Sequence, residues 1–506
     1  MHNEKGIIII GAGIGGLTAG ALLLKAGYPV TVLEAQVYPG GSAGTFYHKQ
    51  YLFDAGATLV GGFEQGQPHY RVAEALDLNW PVAPVDPAWT VHLPNGQQLR
   101  QWSNEKKWLE EWTSVFPESE AFWRKQQMLA GISWDITSRD FPWPPRSIQD
   151  GLGLVSALRP STIRALPYLN KKVADIAPPG DRQFTAFLDS QLLISAQTTS
   201  ARANALYGSA ALDLPRRGVY HVRGGTGSLA KTLADWIETN GGKVLYRQEV
   251  EAIEVRHRRA AAVRTKKGLH IEADGIIANL TPWTLKNLLA DNAPISLQKQ
   301  VAKTGYTWGA FTLYLGVDAA KIGTEKASHH QVISDLDKPL GEGNSIFISV
   351  ADSRDHNRAP SGKRPVTIST HTKIEPWWRL YENNRDAYLN KRAEYADKLL
   401  TAATSALPGL REAVELSLPG TPVTFDYYTG RHLGMVGGFP QESLFSARGP
   451  GTGVKNLWLV GDSIFPGQST AGVTLGAIRV AAEVTKSLSA RPRIVPAALN
   501  PSVVGE

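Results

Sequence analysis

Glycines and one acid carry the strongest chemical signal in the chain. Residues 6–16 read GIIIIGAGIGG, so Gly11, Gly13, Gly15 and Gly16 follow directly on four isoleucines. In a Gly-x-Gly-x-x-Gly loop between a strand and a helix, the first glycine (Gly11) permits the tight turn. Gly13 lets the backbone approach a pyrophosphate, and Gly16 lets helix and strand pack closely. The helix start offers unpaired N–H groups and a partial positive charge to phosphates. Glu34 ends the next strand, VTVLE, about 20 residues beyond the loop, where a carboxylate can hold both hydroxyls of an adenosine ribose. These residues predict a bound dinucleotide and leave NAD and FAD both open.

Other chemistries find little support. The chain has no cysteine, which excludes disulfides, thiolate catalysis, zinc–thiolate sites and iron–sulfur clusters. His329-His330 has no third ligand at metal spacing and reads as a solvated loop, so no metal site is expected. In GDSIF, Phe465 stands where the last glycine of a Gly-x-Ser-x-Gly nucleophile elbow belongs, and that reading fails. Trp377-Trp378 reads as hydrophobic filling. No residue stands out as a catalytic base, and the catalytic residues are left unassigned.

The elements that must position the loop are legible. The isoleucine run predicts a strand buried on both faces of a parallel sheet. LTAGALLLKAG predicts a helix with Leu17, Ala21 and Leu24 at helical spacing and Gly27 as its stop. In 216–281, a helix with Leu229, Leu233 and Ile237 on one face is followed by two strands, then a hairpin and a further apolar strand ending at Asn279. The 506 residues suggest two or three domains, and the expected class is α/β.

Downstream of Glu34, PGGSAGTF places Gly40, Gly41 and Ser42, and FDAGAT places Gly56 and Ala57. Near the other end, LWLVGDSIFPGQSTAGV runs a short strand into Gly461-Asp462 and then a helix starting near Ala471-Gly472-Val473. Here the chain resembles the flavoprotein superfamily of amine oxidases, protoporphyrinogen oxidase and carotenoid desaturases. The resemblance implies FAD, held in a Rossmann-type domain of the two-dinucleotide-binding type that is interleaved with an α+β substrate domain. It implies cofactor roles for the glycine pair, for Val250 under the adenine, for Asn279 where the chain returns beneath the cofactor, and for Gly461 and Asp462 near the ribitol or phosphate. On this basis 1–80, 216–285 and 430–506 are expected to form the FAD-binding domain, and 85–215 with 286–429 the substrate domain.

Within that superfamily the pattern is similar to the carotenoid desaturase and isomerase branch, and nearest to carotenoid 3′,4′-desaturases. The implied reaction is hydride transfer from a carotenoid to flavin, with quinone or dioxygen as electron acceptor. The SIFPGQSTAGV loop departs from the HPGAG-type loop of bacterial phytoene desaturases and pulls towards isomerase-like members. Two alternatives therefore stand beside desaturation: cis–trans isomerisation by reduced FAD without net redox, and a non-catalytic prenyl- or lipid-binding protein of the same architecture. Eight of the 14 Trp lie between Trp80 and Trp143. The segment after them sets Arg146, Arg159, Arg164, Lys171 and Lys172 among apolar residues, so 141–175 is expected to be a helix pair in contact with a bilayer surface. A net charge of +7 suits an anionic surface or cofactor and is too small to argue for nucleic acid. With no spanning run and no recognisable signal peptide, the expected location is cytoplasmic and peripherally membrane-associated.

Overall fold

The computed structural model describes residues 5–137, 139, 148, 151–152, 159–303, 308–322, 328–438 and 447–488. Strand Gly6–Ile10 pairs in parallel on both edges, with Val30–Leu33 and with His270–Ala278. Ile7, Ile8, Ile9 and Ile10 are all buried, which is why no polar residue alternates among them. Helix Ile14–Lys25 follows at once. A Cβ at Gly16 would lie 2.4 Å from the Gly11 carbonyl oxygen and 3.0 Å from Ile9, so any side chain there would push the helix off the sheet. Gly27, at φ +89°, ends the helix as its position predicts.

The first sheet runs in the order Lys243–Leu245, Val30–Leu33, Gly6–Ile10, His270–Ala278, Arg259–Thr265, Val250–Arg256, and Leu457–Leu459 also pairs with His270–Ala278. The hairpin strand and the apolar strand expected before Asn279 are one nine-residue strand. Its first half alternates polar and apolar residues and pairs antiparallel with Arg259–Thr265. Its apolar second half runs parallel between Gly6–Ile10 and Leu457–Leu459. One strand thus changes sequence pattern where its surroundings change from one covered face to two.

A second seven-stranded sheet has the order Val414–Gly420, Gly309–Asp318, Lys363–Thr372, Ser345–Val350, His329–Ile333, Thr90–His92, Gln98–Arg100. Along Gly309–Asp318, Phe311, Leu313, Leu315 and Val317 enter a core with Trp377, Leu399 and Leu407, supplied by helices Glu375–Asn383 and Arg385–Ala403 and the turn after them. The intervening Ala310 and Thr312 face a cavity, as a period of two requires. Trp377 is fully buried against Phe311.

One expectation needs correction. His329 and His330 are buried in a strand rather than in a solvated loop. His329 Nδ1 meets Ser349, and His330 Nδ1 lies 3.1 Å from His92 Nε2, so neighbouring strands satisfy the polar atoms that suggested a loop. In the 141–175 region, 141–147, 149–150 and 153–158 lie outside the described residues. Beyond them, Pro160–Ile163 is a single helical turn followed by a 3-10 turn at Leu166–Tyr168. Ile148, Leu152, Ile163 and Leu166 are 86, 64, 62 and 55 % exposed. Trp108, Trp112 and Trp123 pack with Phe116, Phe122, Phe184 and Phe187 in an edge-to-face aromatic core between helices. Among the described residues no helix is long and apolar enough to cross a membrane.

Candidate active site

A connected cavity of about 1560 Å³ is lined from both sheets. Of the residues singled out in the sequence, Gly11, Gly13, Gly15, Glu34, Gly40, Gly41, Ser42, Gly56, Ala57, Val250, Asn279, Gly461, Asp462 and Val473 line it. Gly16 and Gly472 stand behind the wall. Gly16 sets the helix–strand distance, and a Cβ at Gly472 would fall 1.9 Å from the Gly467 carbonyl oxygen.

Backbone hydrogen bonds lace the separate loops into one cradle. Gly40 N–H donates to the Ala12 carbonyl at 2.8 Å, Ala57 N–H to that of Ser42 at 3.2 Å, and Asn279 N–H to that of Ile10 at 2.9 Å. Gly40 sits at φ +118°, and a Cβ there would lie 2.6 Å from Gly44 Cα, so only glycine fits the turn without strain. Gly13 has a second duty that the motif does not reveal. Its missing Cβ leaves room for the Asn279 amide, whose Nδ2 would be 2.5 Å from such an atom.

The cradle suits a dinucleotide. The cap residue of helix Ile14–Lys25 is Gly13, which has no capping side chain, so the first-turn N–H groups are left for an anion in the adjoining cavity. Glu34 is buried. Its carboxylate accepts from Ala12 N–H at 2.7 Å and from Gln36 N–H at 2.8 Å. Burial nevertheless pushes its pKa up, with the backbone donors at Gln36, Ala12 and Ala35 opposing the shift. The carboxylate is thus pre-oriented and short of donors, which a ribose hydroxyl pair would supply.

Arg431 escaped the sequence reading. Its Nη1 lies 2.9 Å from Asp462 Oδ2, its Nε donates to the Met435 carbonyl at 2.6 Å, and Nη2 donates to the Gly437 carbonyl. It lines the cavity beside Asp462. No motif spacing marks an arginine between Gly430 and His432, and only the fold brings it to the acid.

The wall contributed by the second sheet and helix Arg182–Ala196 mixes polar with apolar side chains. It includes Ser190, Gln191, Ser195, Thr312, Gln331, Ser345, Ser369, Thr370 and His371 among Leu193, Ile194, Ile346 and Phe347. The reason is the strand period, which puts the large aliphatic residues of Gly309–Asp318 on the opposite face. Gln191 donates to Gln331, and Trp89 Nε1 donates to Gln191 at 3.2 Å. No carboxylate, lysine or arginine belongs to this part of the lining. Its one ionisable group, His371, is pushed down to about 4 by burial and is neutral at pH 7. Such a surface offers oriented dipoles without a fixed charge.

The chain is 29 % identical over 505 residues to the chloroplastic prolycopene isomerase of Daucus carota, covering 96 % of this chain and 80 % of that one. It is 26 % identical over 504 residues to a lycopene-forming phytoene desaturase of a Paracoccus species, covering 96 % and 97 %. An oxidoreductase from Methanosarcina mazei shares the fold at a TM-score of 0.64 and 19 % identity, covering 94 % of this chain and 99 % of that one. Residues 14–485 match the family described as flavin containing amine oxidoreductase. With that match over nearly the whole chain, and a cradle suited to a dinucleotide, the protein belongs to the flavin-containing amine oxidoreductase family and its cofactor is FAD.

Proposed function

We propose that this protein is an FAD-dependent carotenoid desaturase that removes two hydrogens from a long polyene at a 3′,4′-type position. The observation that carries the reading is the union, in one cavity, of a dinucleotide cradle and an uncharged wall contributed by the second sheet and helix Arg182–Ala196. In this reading 1–80, 216–285 and 430–506 hold the cofactor, and 85–215 with 286–429 enclose the substrate. Sheet membership supports the division, because the strands of the first sheet come from the former segments and those of the second from the latter. The named relatives act on polyenes, which supports the substrate class.

Gly11, Gly13, Gly15, Gly40, Gly41 and Ser42 would hold the pyrophosphate side, Glu34 the ribose, Val250 the adenine, and Gly461 and Asp462 the ribitol side of FAD. Bound FAD supplies a hydride acceptor. The protein's contribution is position and environment. The cavity fixes which carbon faces the acceptor and excludes the water that would trap a developing allylic cation. The Gln191–Gln331 pair and the hydroxyls of Ser190, Ser345 and Thr370, fixed by hydrogen bonds within the wall, would surround that charge with preset dipoles. Electrons would pass on to quinone or dioxygen. The exposed Ile148, Leu152, Ile163 and Leu166, with Arg159 and Arg164 nearby in sequence, support loading from a membrane surface.

Carotenoid cis–trans isomerisation is the second reading, favoured by 28–29 % identity to prolycopene isomerases over 94–96 % of the chain. Incubation of the holoprotein with acyclic carotenoids decides between them. A red-shifted product two hydrogens lighter supports desaturation, whereas a product of unchanged mass with altered absorbance supports isomerisation.

A further inference from the structure

Beside the main cavity lies a second, small one of about 10 Å³, near the least space in which a single water fits. His329 and His221 both line it, are 2 % and 6 % exposed, and leave their Nε2 atoms without a hydrogen-bond partner. His329 Nε2 has no partner, and His221 Nε2 has only the Asp355 carboxylate at 3.6 Å, beyond hydrogen-bond distance. Two such buried nitrogens on residues bordering one water-sized space are costly unless something bridges them.

The site connects in two directions. Towards the flavin cavity, Ser349 Oγ donates to Thr58 Oγ1 at 2.6 Å, and Thr58 lines both cavities. The Ser349 oxygen lies 3.0 Å from His329 Nδ1. Because Ser349 has spent its proton on Thr58, it accepts from Nδ1–H, which makes His329 Nε2 an acceptor. Towards the surface, His221 Nε2 is 3.6 Å from Asp355 Oδ2, and Asp355 accepts from Gly224 N–H at 2.7 Å at the edge of a loop whose residues 353, 354, 356 and 357 are exposed.

We propose that this cavity binds one ordered water and that Asp355, His221, the water, His329, Ser349 and Thr58 form a proton path between solvent and the flavin cavity. The proposal rests on reading the main cavity as the flavin site. A proton entering at Asp355 passes to His221 Nε2, and a small swing of the ring re-aims that N–H at the water, which takes the proton. The water protonates His329 Nε2 as Nδ1–H moves to Ser349, the Ser349 hydroxyl proton moves to Thr58, and the Thr58 proton enters the cavity. Each group gains one bond to hydrogen and loses one, His329 gaining at Nε2 and losing at Nδ1 and so changing tautomer, and one proton enters as one leaves. With each hydroxyl turned about and His329 in its Nε2–H tautomer, the same path exports the proton that desaturation releases.

The surrounding charges suit transport rather than storage. Asp54 and Arg358 line the small cavity and neutralise each other at 2.9 Å. His221, His330 and Arg358 oppose a charge on His329, while Asp352 favours one. Burial dominates and pushes His329 down to about 3, so the ring relays without holding charge.

A high-resolution crystal structure of the holoprotein should show one solvent peak within hydrogen-bond distance of both Nε2 atoms. An apolar void, or a rotated ring that takes another partner, overturns the proposal. Photochemical reduction of the bound flavin, which needs no polyene, supplies the second test, with proton uptake from bulk followed by an indicator dye. Ser349→Ala and His329→Gln, in preparations that retain flavin, should slow uptake by roughly a hundredfold, the scale of a positioned proton-transfer group. Unchanged uptake in both refutes the path. A holoprotein that shows the path but converts no carotenoid refutes only the substrate reading.

Discussion

Replacing Arg358 tests how the cofactor loop is tied to the substrate side of the molecule. Its Nη2 lies 2.9 Å from Asp54 Oδ2, and Nε and Nη2 donate to the Leu52 carbonyl at 3.2 and 2.9 Å. Both side chains are about 5 % exposed (5 and 6 %). On its other oxygen, Asp54 accepts from Thr45 Oγ1 at 2.8 Å, Thr226 N–H at 2.8 Å and Thr226 Oγ1 at 3.1 Å. Arg358→Met therefore leaves a buried carboxylate with hydrogen bonds on one oxygen only, and should cost about 3–5 kcal/mol. Asp54→Asn keeps the acceptor for the threonines but sets an amide donor against an unpaired guanidinium, with a loss of similar size. The double variant removes both charges and should be more stable than either single one, with a coupling energy of at least about 2 kcal/mol. Urea unfolding of all four proteins, followed by flavin release and by far-ultraviolet circular dichroism, measures this. If Arg358→Met costs under about 1 kcal/mol, or the losses simply add, the pair is not the clamp that its burial implies.

Four further outcomes are expected. Gly13→Val drives a side chain into the Asn279 amide, which already lies 2.5 Å from where a Cβ would fall, and should yield protein without flavin; a yellow preparation refutes it. Glu34→Ala should raise the Kd for FAD by a factor corresponding to about 1–3 kcal/mol, measured by flavin titration of the apoprotein, and unchanged affinity places the ribose elsewhere. For His371, the folded value is about 4 against 6.5, so the unfolded chain binds more protons between them and stability falls as pH drops through that window. His371→Gln should therefore remove about 2 kcal/mol of the stability lost between pH 7 and pH 5, and equal losses in both proteins refute this. Ile163→Glu with Leu166→Glu should reduce flotation with anionic liposomes, because both exposed side chains leave the apolar patch; undiminished flotation argues against membrane loading there.

What could be read along the chain was whatever one element and its immediate neighbours decide. The isoleucine run specified a doubly covered strand, and the spacing of Leu229, Leu233 and Ile237 specified the buried face of helix Gly227–Thr239. The histidine pair misled because an isolated HH carries no sign of the partners that bury it. The strand ending at Asn279 was divided in two because its pattern changes halfway, although its backbone does not. The polar wall was missed for a related reason: alternation along Gly309–Asp318 is plain, but which face meets a helix layer and which meets a cavity is not written in one strand.

The amino-acid sequence by itself determined the phosphate-binding turn, the placement of Glu34 after it and the matching strand–loop–helix at the far end, since glycine's freedom and strand or helix periodicity act over a few residues. Tertiary structure alone decided the Arg431–Asp462 and Arg358–Asp54 pairs, the Asn279 amide seated against Gly13, and the line from Thr58 to Asp355. Those contacts join residues tens to hundreds of positions apart. Their energies depend on distance and burial in the folded chain, quantities that exist only once the sheets have packed.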